Sequence, residues 1–140
     1  MSNGKTPKEM LSCGGYTLLI RSDKGTLCTK KRGIAPLLGI YEERGELSGA
    51  LAFDKVVGKA AAFLYVLLNV SSVYAEVMSV SALEVLERYG IDTDFDECVP
   101  AIINRDGTGF CPMESAVLSI DDPNEALAAV KEKLKELSSH

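Results

Sequence analysis

Two short stretches combine residue types that could do chemistry. The first is Asp54-Lys55-Val56-Val57-Gly58-Lys59, directly before an apolar run. Read as a helix opening at the cap Asp54, it sets Lys55 and Lys59 four residues apart on one face. Like charges at that spacing repel and cations oppose the helix dipole, each effect costing a few tenths of a kcal/mol. Gly58 inside a helix adds about 1 kcal/mol relative to alanine. An arrangement so poorly suited to stability has one simple use. Free N–H groups, two ammonium groups and an unobstructed backbone would hold a phosphate or carboxylate. The structural alternative makes Lys55 a solvated charge, Asp54 a cap that offsets it, and Gly58 a concession to close helix–strand packing.

The second stretch is Cys111-Pro112-Met113-Glu114. With Pro112 at the first helical position, Cys111 falls at the N-cap. There the dipole and free N–H groups favour thiolate and lower a thiol pKa from its usual value of about 8.5. Glu114 stands at the reciprocal capping-box position. The pair reads either as a nucleophile with an acid–base partner or as a structural cap and turn.

Other residues offer less. Cys13, Cys28 and Cys98 fall before or within β segments, where a buried free cysteine behaves as a small hydrophobe. Four scattered cysteines without a CxxC pair, in a chain with a sizeable core, do not suggest a disulfide framework. The single histidine is the terminal His140. A zinc site and a histidine-based nucleophile system therefore both lack ligands, and no metal or cofactor is expected. Arg105-Asp106-Gly107-Thr108-Gly109 has glycines for close backbone approach but fits neither the dinucleotide fingerprint nor the P-loop. Lys30-Lys31-Arg32 reads as a solvated basic turn.

The elements that must position these residues follow from periodicity and punctuation. Residues 1–14 read as a flexible tail with a short helical piece at Pro7 to Leu11, and residues 15–140 as one domain. Tyr16 to Arg21 and Thr26 to Lys31 form a hairpin through the turn Ser22-Asp23-Lys24-Gly25. Ile34 to Glu43 is a short helix with Pro36 in its first turn. Leu47 to Phe53 reads as a buried strand, followed by the helix from Asp54 to about Asn69. That helix is apolar nearly all round and so must pack on more than one side. Val73 to Met78 is a strand, and Ser81-Ala82-Leu83-Glu84 opens a helix that Gly90 ends. Cys98 to Asn104 reads as a strand, with a short helix at Cys111 to Glu114. The last helix begins at Asp122-Pro123 and carries the stripe Leu127, Val130, Leu134, Leu137. The order β-β-α-β-α-β-α-β-α-α describes an α/β domain with a mixed sheet and helices packed on it.

Composition agrees with one soluble domain. The 140 residues are 46% hydrophobic and 25% charged with a net charge of −5, which argues against a nucleic-acid polymer or an acidic membrane as partner. Ala60 to Leu68 is shorter than the roughly 20 residues a bilayer requires, and the polar start lacks a secretory h-region, so a cytoplasmic location is expected. The apolar helices leave homo-oligomerisation open.

Gly49-Ala50-Leu51-Ala52-Phe53-Asp54-Lys55-Val56-Val57-Gly58-Lys59-Ala60-Ala61-Ala62, Asn104-Arg105-Asp106-Gly107-Thr108-Gly109 and Cys111-Pro112-Met113-Glu114 together resemble a prokaryotic family, the domain of unknown function 1893. The similarity runs from about Tyr16 to Leu137. The resemblance implies a cytidine-deaminase-like three-layer fold whose helix after the third strand carries the site. Zinc deaminases of that fold place a His or Cys with a nearby Glu at this helix start, and Pro-Cys-x-x-Cys at the next. Here those positions read Gly58-Lys59-Ala60-Ala61 and Met78-Ser79-Val80-Ser81-Ala82-Leu83, so zinc-dependent deamination is not carried over.

Three functions remain open on the sequence. The leading one is a protein binding a small anionic metabolite such as a nucleotide, with Asp54, Lys55, Gly58 and Lys59 at the ligand and Cys111 and Glu114 nearby. The others are a metal-independent thiol enzyme using Cys111, with Glu114 or Lys59 moving the proton, and a ligand-free interaction or structural module.

Overall fold

A computed structural model describes residues 7–31, 33–102 and 112–138. Helix α1 (Pro7–Cys13) precedes the hairpin β1 (Leu18–Ser22) and β2 (Gly25–Thr29), and α2 (Ala35–Arg44) follows. Two β–α units come next: β3 (Leu51–Val57) with α3 (Lys59–Leu68), and β4 (Ser72–Ser79) with α4 (Val80–Arg88). Strand β5 (Asp92–Val99) and helices α5 (Pro112–Ala116) and α6 (Pro123–Ser138) complete the order. The five strands lie in the order β2-β1-β3-β4-β5. Strand β1 runs antiparallel to both its neighbours, while β3, β4 and β5 are parallel.

Alternation along the strands sorts side chains between two unequal cores. Leu18, Ile20, Ala52, Val73 and Ala75 join the large core with α2, α3, α4 and α6. Leu19, Phe53 and Tyr74 face the other way, toward Leu11 and Met10 of α1. Helix α3 is the centre of the large core: Ala60 to Tyr65 and Leu68 are all buried. Its neighbours are α2, α4, α5 and α6, which explains a helix with hardly a polar residue. The C-terminal stripe docks as its spacing requires at Leu127, Val130 and Leu134, whereas Leu137 is exposed.

The sequence expectations shift in instructive places. The third strand and its helix both begin four or five residues later than the sequence suggests. Residues 47–50 instead wrap the far end of α3, where Leu47 N–H donates to Leu68 O at 2.7 Å and Gly49 N–H to Asn69 O at 3.1 Å. Those groups satisfy carbonyls that a helix end leaves open, and the turn holds Gly49 at φ 82°, which a side chain would resist. Strand β5 occupies Asp92–Val99, six residues before the expected start, because its acidic alternation suits an exposed sheet edge. Helix α4 is capped by Ser79, whose Oγ accepts from Ala82 N–H at 3.1 Å, so Ser81 is helical and Ser81–Glu84 is not the capping box. Cys13, Cys28 and Cys98 are exposed, contrary to the expectation of buried thiols, since Cys28 and Cys98 lie on outward positions of the two edge strands. No helix among the described residues is long and apolar enough to cross a membrane.

Helix α1 occupies much of the stretch read as a tail. Its Leu11 is fully buried against Leu19 and Tyr74. Lys8 Nζ lies 3.1 Å from Asp94 Oδ2 and 4.4 Å from the centre of the Tyr74 ring. Exposed ion pairs contribute about 0–1 kcal/mol, so the leucine supplies most of the attachment. Leu11→Ala is expected to lower stability by about 2–5 kcal/mol in urea unfolding, whereas a freely moving tail would leave the midpoint unchanged.

Candidate functional site

Beyond Asp54, strand β3 loses its β1 partner. The ladder between them ends at Leu18 opposite Asp54, with one further bond from Lys55 N–H to Thr17 O at 3.1 Å. The divergence opens a cavity of about 610 Å³ between the end of β3, the segment joining β2 to α2, and α5. Its walls are apolar at Leu18, Ile34, Leu37, Val56, Ala61 and Ile102. Lys30, Lys31, Lys55, Asp54, Glu114, Thr17 and Thr29 supply polar character. Outside the carboxyl end of a parallel strand, such a crevice is the usual ligand position in open α/β sheets.

Asp54 is a strand residue, and it does not cap α3. Its Oδ2 accepts a 2.6 Å hydrogen bond from Tyr65 Oη, one helix away across the sheet–helix interface. Burial pushes the Asp54 carboxyl from 3.8 up to about 7, outweighing the opposing hydrogen bonds from Tyr65 and from the backbone at Val56 and Lys55. Burial, and then the charge and hydrogen bond of Asp54, drive the Tyr65 phenol well above its ordinary range. Tyr65 therefore stays protonated and remains the donor of the pair.

The start of α3 is closed by the protein itself. Glu114 Oε1 accepts from Lys59 N–H at 2.8 Å and Oε2 accepts from Ala60 N–H at 3.1 Å. Met113 and Val117, both buried, fix the segment that delivers this carboxylate. Gly58 is the N-cap, at φ −101° and ψ −175°, an extended conformation open to any residue. Its requirement is steric instead: a Cβ there would lie 2.5 Å from the Glu114 carboxyl carbon and 2.5–2.7 Å from its oxygens. The glycine admits an anion to the helix start, as the sequence suggests, and that anion is Glu114.

Lys59 turns away from the cavity and is absent from its lining. Its Nζ donates to Leu118 O at 3.0 Å and lies 5.8 Å from the centre of the Phe63 ring. The side chain and main chain of Lys59 thus both hold the α5 segment. Lys55 belongs to β3, so the two lysines are not neighbours on one helix face. Asp54, Lys55, Gly58 and Glu114 share the cavity lining; Lys59 stands behind it. Cys111 and the glycine-rich turn at Arg105–Gly109 lie outside the described residues.

Sequence reasoning missed Tyr65, which reads as one more core residue of an apolar helix. It also read Lys30 and Lys31 as a solvated turn, although both line the cavity. Lys30 Nζ lies 4.9 Å from the centre of the Tyr16 ring. The signal available was the pairing of an aspartate in a buried strand with a tyrosine on the following helix. Among the described residues no group of three or more His, Cys, Asp or Glu is placed to hold a metal ion.

Fold and site together define an α/β protein with a mixed five-stranded sheet and a cavity at the end of its central strand. The chain belongs to the family described as a domain of unknown function, DUF1893, whose profile matches residues 7–134. Its structure is similar to the crystal structure, at 2.70 Å resolution, of a DUF1893 family protein (TM1506) from Thermotoga maritima. The two are 32% identical, the match covers 89% of this chain and 85% of that one, and the TM-score is 0.83. No curated protein matches the chain.

Two outcomes follow from the geometry. Gly58→Ala is expected to cost about 1–3 kcal/mol by overpacking, and most of that cost should vanish when the substitution is made in a Glu114→Ala background; equal costs in both backgrounds would break the link between the two residues. For Asp54, a folded pKa of about 7 above an unfolded value of 3.8 means that the native state binds more protons between them. Its contribution is present below about 4 and is lost as pH rises through 7. Relative to Asp54→Asn, the wild type should therefore lose stability as pH climbs across that window and change little above it, as read by denaturant unfolding at each pH.

Proposed function

We propose that this protein binds a small anionic metabolite, a nucleotide being the class that fits best, in the cavity beside Asp54. Three lysines among the lining of one cavity, in a chain of net charge −5, are the observation that carries this reading. Cationic and apolar lining together suit a ligand with a charged group on a flat or apolar body. A volume of about 610 Å³ is within the usual range for small-molecule sites. The N–H groups of Lys59 and Ala60 are already bonded to Glu114, so the lysines Lys30, Lys31 and Lys55 are the candidates for the anionic group.

The reading also includes a cytidine-deaminase-like arrangement without the zinc motif. The mixed sheet and the cavity at the start of the helix after the third strand support it. The positions at which a zinc deaminase would hold its metal are occupied by Gly58-Lys59-Ala60-Ala61 and Met78–Leu83, which contain neither His nor Cys. Binding therefore falls to the cavity lysines and Asp54.

Isothermal titration with nucleoside monophosphates and their uncharged nucleosides, at low salt, tests the anion site. Because Lys30 and Lys31 are exposed, the double substitution Lys30→Ala, Lys31→Ala should leave the fold intact. It is expected to weaken monophosphate binding about tenfold or more, equivalent to about 1.4 kcal/mol, with no matching loss for nucleosides. Equal affinity in both proteins, or no binding by any member of the panel, would overturn the reading.

A further inference from the structure

Asp54 is set differently from every other carboxylate described in the chain. It lines the cavity on the large-core face of β3, and its Oδ2 is held at 2.6 Å by a tyrosine that is itself fully buried. Its packed neighbours are mainly apolar, and the desolvation they impose outweighs the hydrogen bonds from Tyr65 and from the backbone at Val56 and Lys55 that favour its negative charge. Its register partners are Leu18 of β1 and Ala75 of β4. Helix α2 and the segment before it present Ile34, Pro36 and Leu37 to the cavity. The charged or titratable groups are Lys55 on β3, Tyr65 on α3, Glu114 on α5, and Lys30 and Lys31 after β2. Among these, Glu114 is engaged with the start of α3, and no salt bridge joins Asp54 to a lysine among the described residues.

We propose that Asp54 is the acid–base group of the cavity, exchanging a proton through Oδ1 with a ligand seated against it while Tyr65, as a positioning residue, holds Oδ2. This rests on the reading of the cavity as a ligand site. In the forward direction the Oδ1–H bond breaks and a bond forms between that proton and an acceptor atom of the ligand. The acceptor is a ring nitrogen or a carbonyl oxygen, the chemistry expected of the body of the anionic metabolite. The electron pair stays on the carboxyl group, which becomes a carboxylate still bonded by the Tyr65 hydroxyl. The reverse transfer restores the acid. A carboxyl pushed up to about 7 supplies both forms near neutral pH, where an ordinary aspartate would be fully ionised.

Dicyclohexylcarbodiimide tests this on the intact protein without a natural ligand. The reagent is small and apolar, and it takes the proton of a carboxylic acid on one nitrogen while the carboxyl oxygen bonds to its central carbon. The resulting O-acylisourea rearranges to a stable N-acylurea that mass spectrometry locates. Asp54 is expected to be labelled at least about tenfold faster at pH 6 than any other described Asp or Glu, with labelling falling as pH rises through about 7. Tyr65→Phe, which removes a hydrogen bond to the carboxylate, should move the midpoint of that fall to higher pH. A purely structural Asp54–Tyr65 pair would remain unlabelled in native wild-type protein from pH 5 to 8, and that result overturns the proposal. Since this measurement needs no anion, its failure is separable from a failure of the titrations with monophosphates.

Discussion

A helix that is buried along its length still begins with N–H groups that no residue of its own can satisfy. In α3 this requirement falls at Lys59 and Ala60, and the Glu114 carboxylate meets it with two hydrogen bonds. Much of the surrounding structure follows. Gly58 lacks a side chain because the carboxylate lies where a Cβ would be. Met113 and Val117 are buried so that Glu114 arrives at the correct depth. Lys59 tightens the same junction from outside through the Leu118 carbonyl. A charge-assisted bond of this kind is stronger than a neutral one, and here it joins segments 55 residues apart in the chain.

That closure changes what the neighbouring cavity can do. With the helix start occupied, the polar resources facing the cavity are the lysines, two threonines and Asp54. The parallel strands β3, β4 and β5 stay paired toward their carboxyl ends, while β1 pairs with β3 only as far as Asp54. The opening therefore arises from topology: one antiparallel partner ends while its neighbour continues. Asp54 lies at the point of departure, with Tyr65 fixed behind it by the packing of a helix that touches other elements on several sides.

The two faces of the sheet are held with different strength. The face carrying α2, α3, α4 and α6 buries most of the apolar side chains, and the opposite face is covered by α1 around Leu11, Leu19 and Tyr74. On that thinner side Tyr74 Oη donates to Asp96 Oδ2 at 2.6 Å, so the polar end of the ring is satisfied at the edge strand. The acidic alternation of β5 leaves a charged edge, which discourages pairing with another strand.

Local signals in the sequence were enough for the class of fold and for most of the elements. The hairpin around Asp23-Lys24, the all-round apolarity of residues 60–68, the glycine after Tyr89 and the stripe from Leu127 each follow from neighbours within a few residues. They led to an α/β domain with a mixed sheet, and the stretch from Asp54 to Lys59 was legible as unusual. Its meaning was not. An aspartate before an apolar run has the same local appearance whether it caps a helix or ends a strand ladder. The choice was made by Tyr65, Leu18 and Ala75, which surround Asp54 only in three dimensions. Gly58 likewise signalled close approach by an anion, but only the docking of α5 decided that the anion was Glu114. Sequence by itself determined which residues favour helix, strand or turn, because those preferences act over one or two turns of chain. Tertiary structure decided where Asp54 sits, what closes α3 and which lysines share a cavity, because those depend on contacts between residues far apart in sequence.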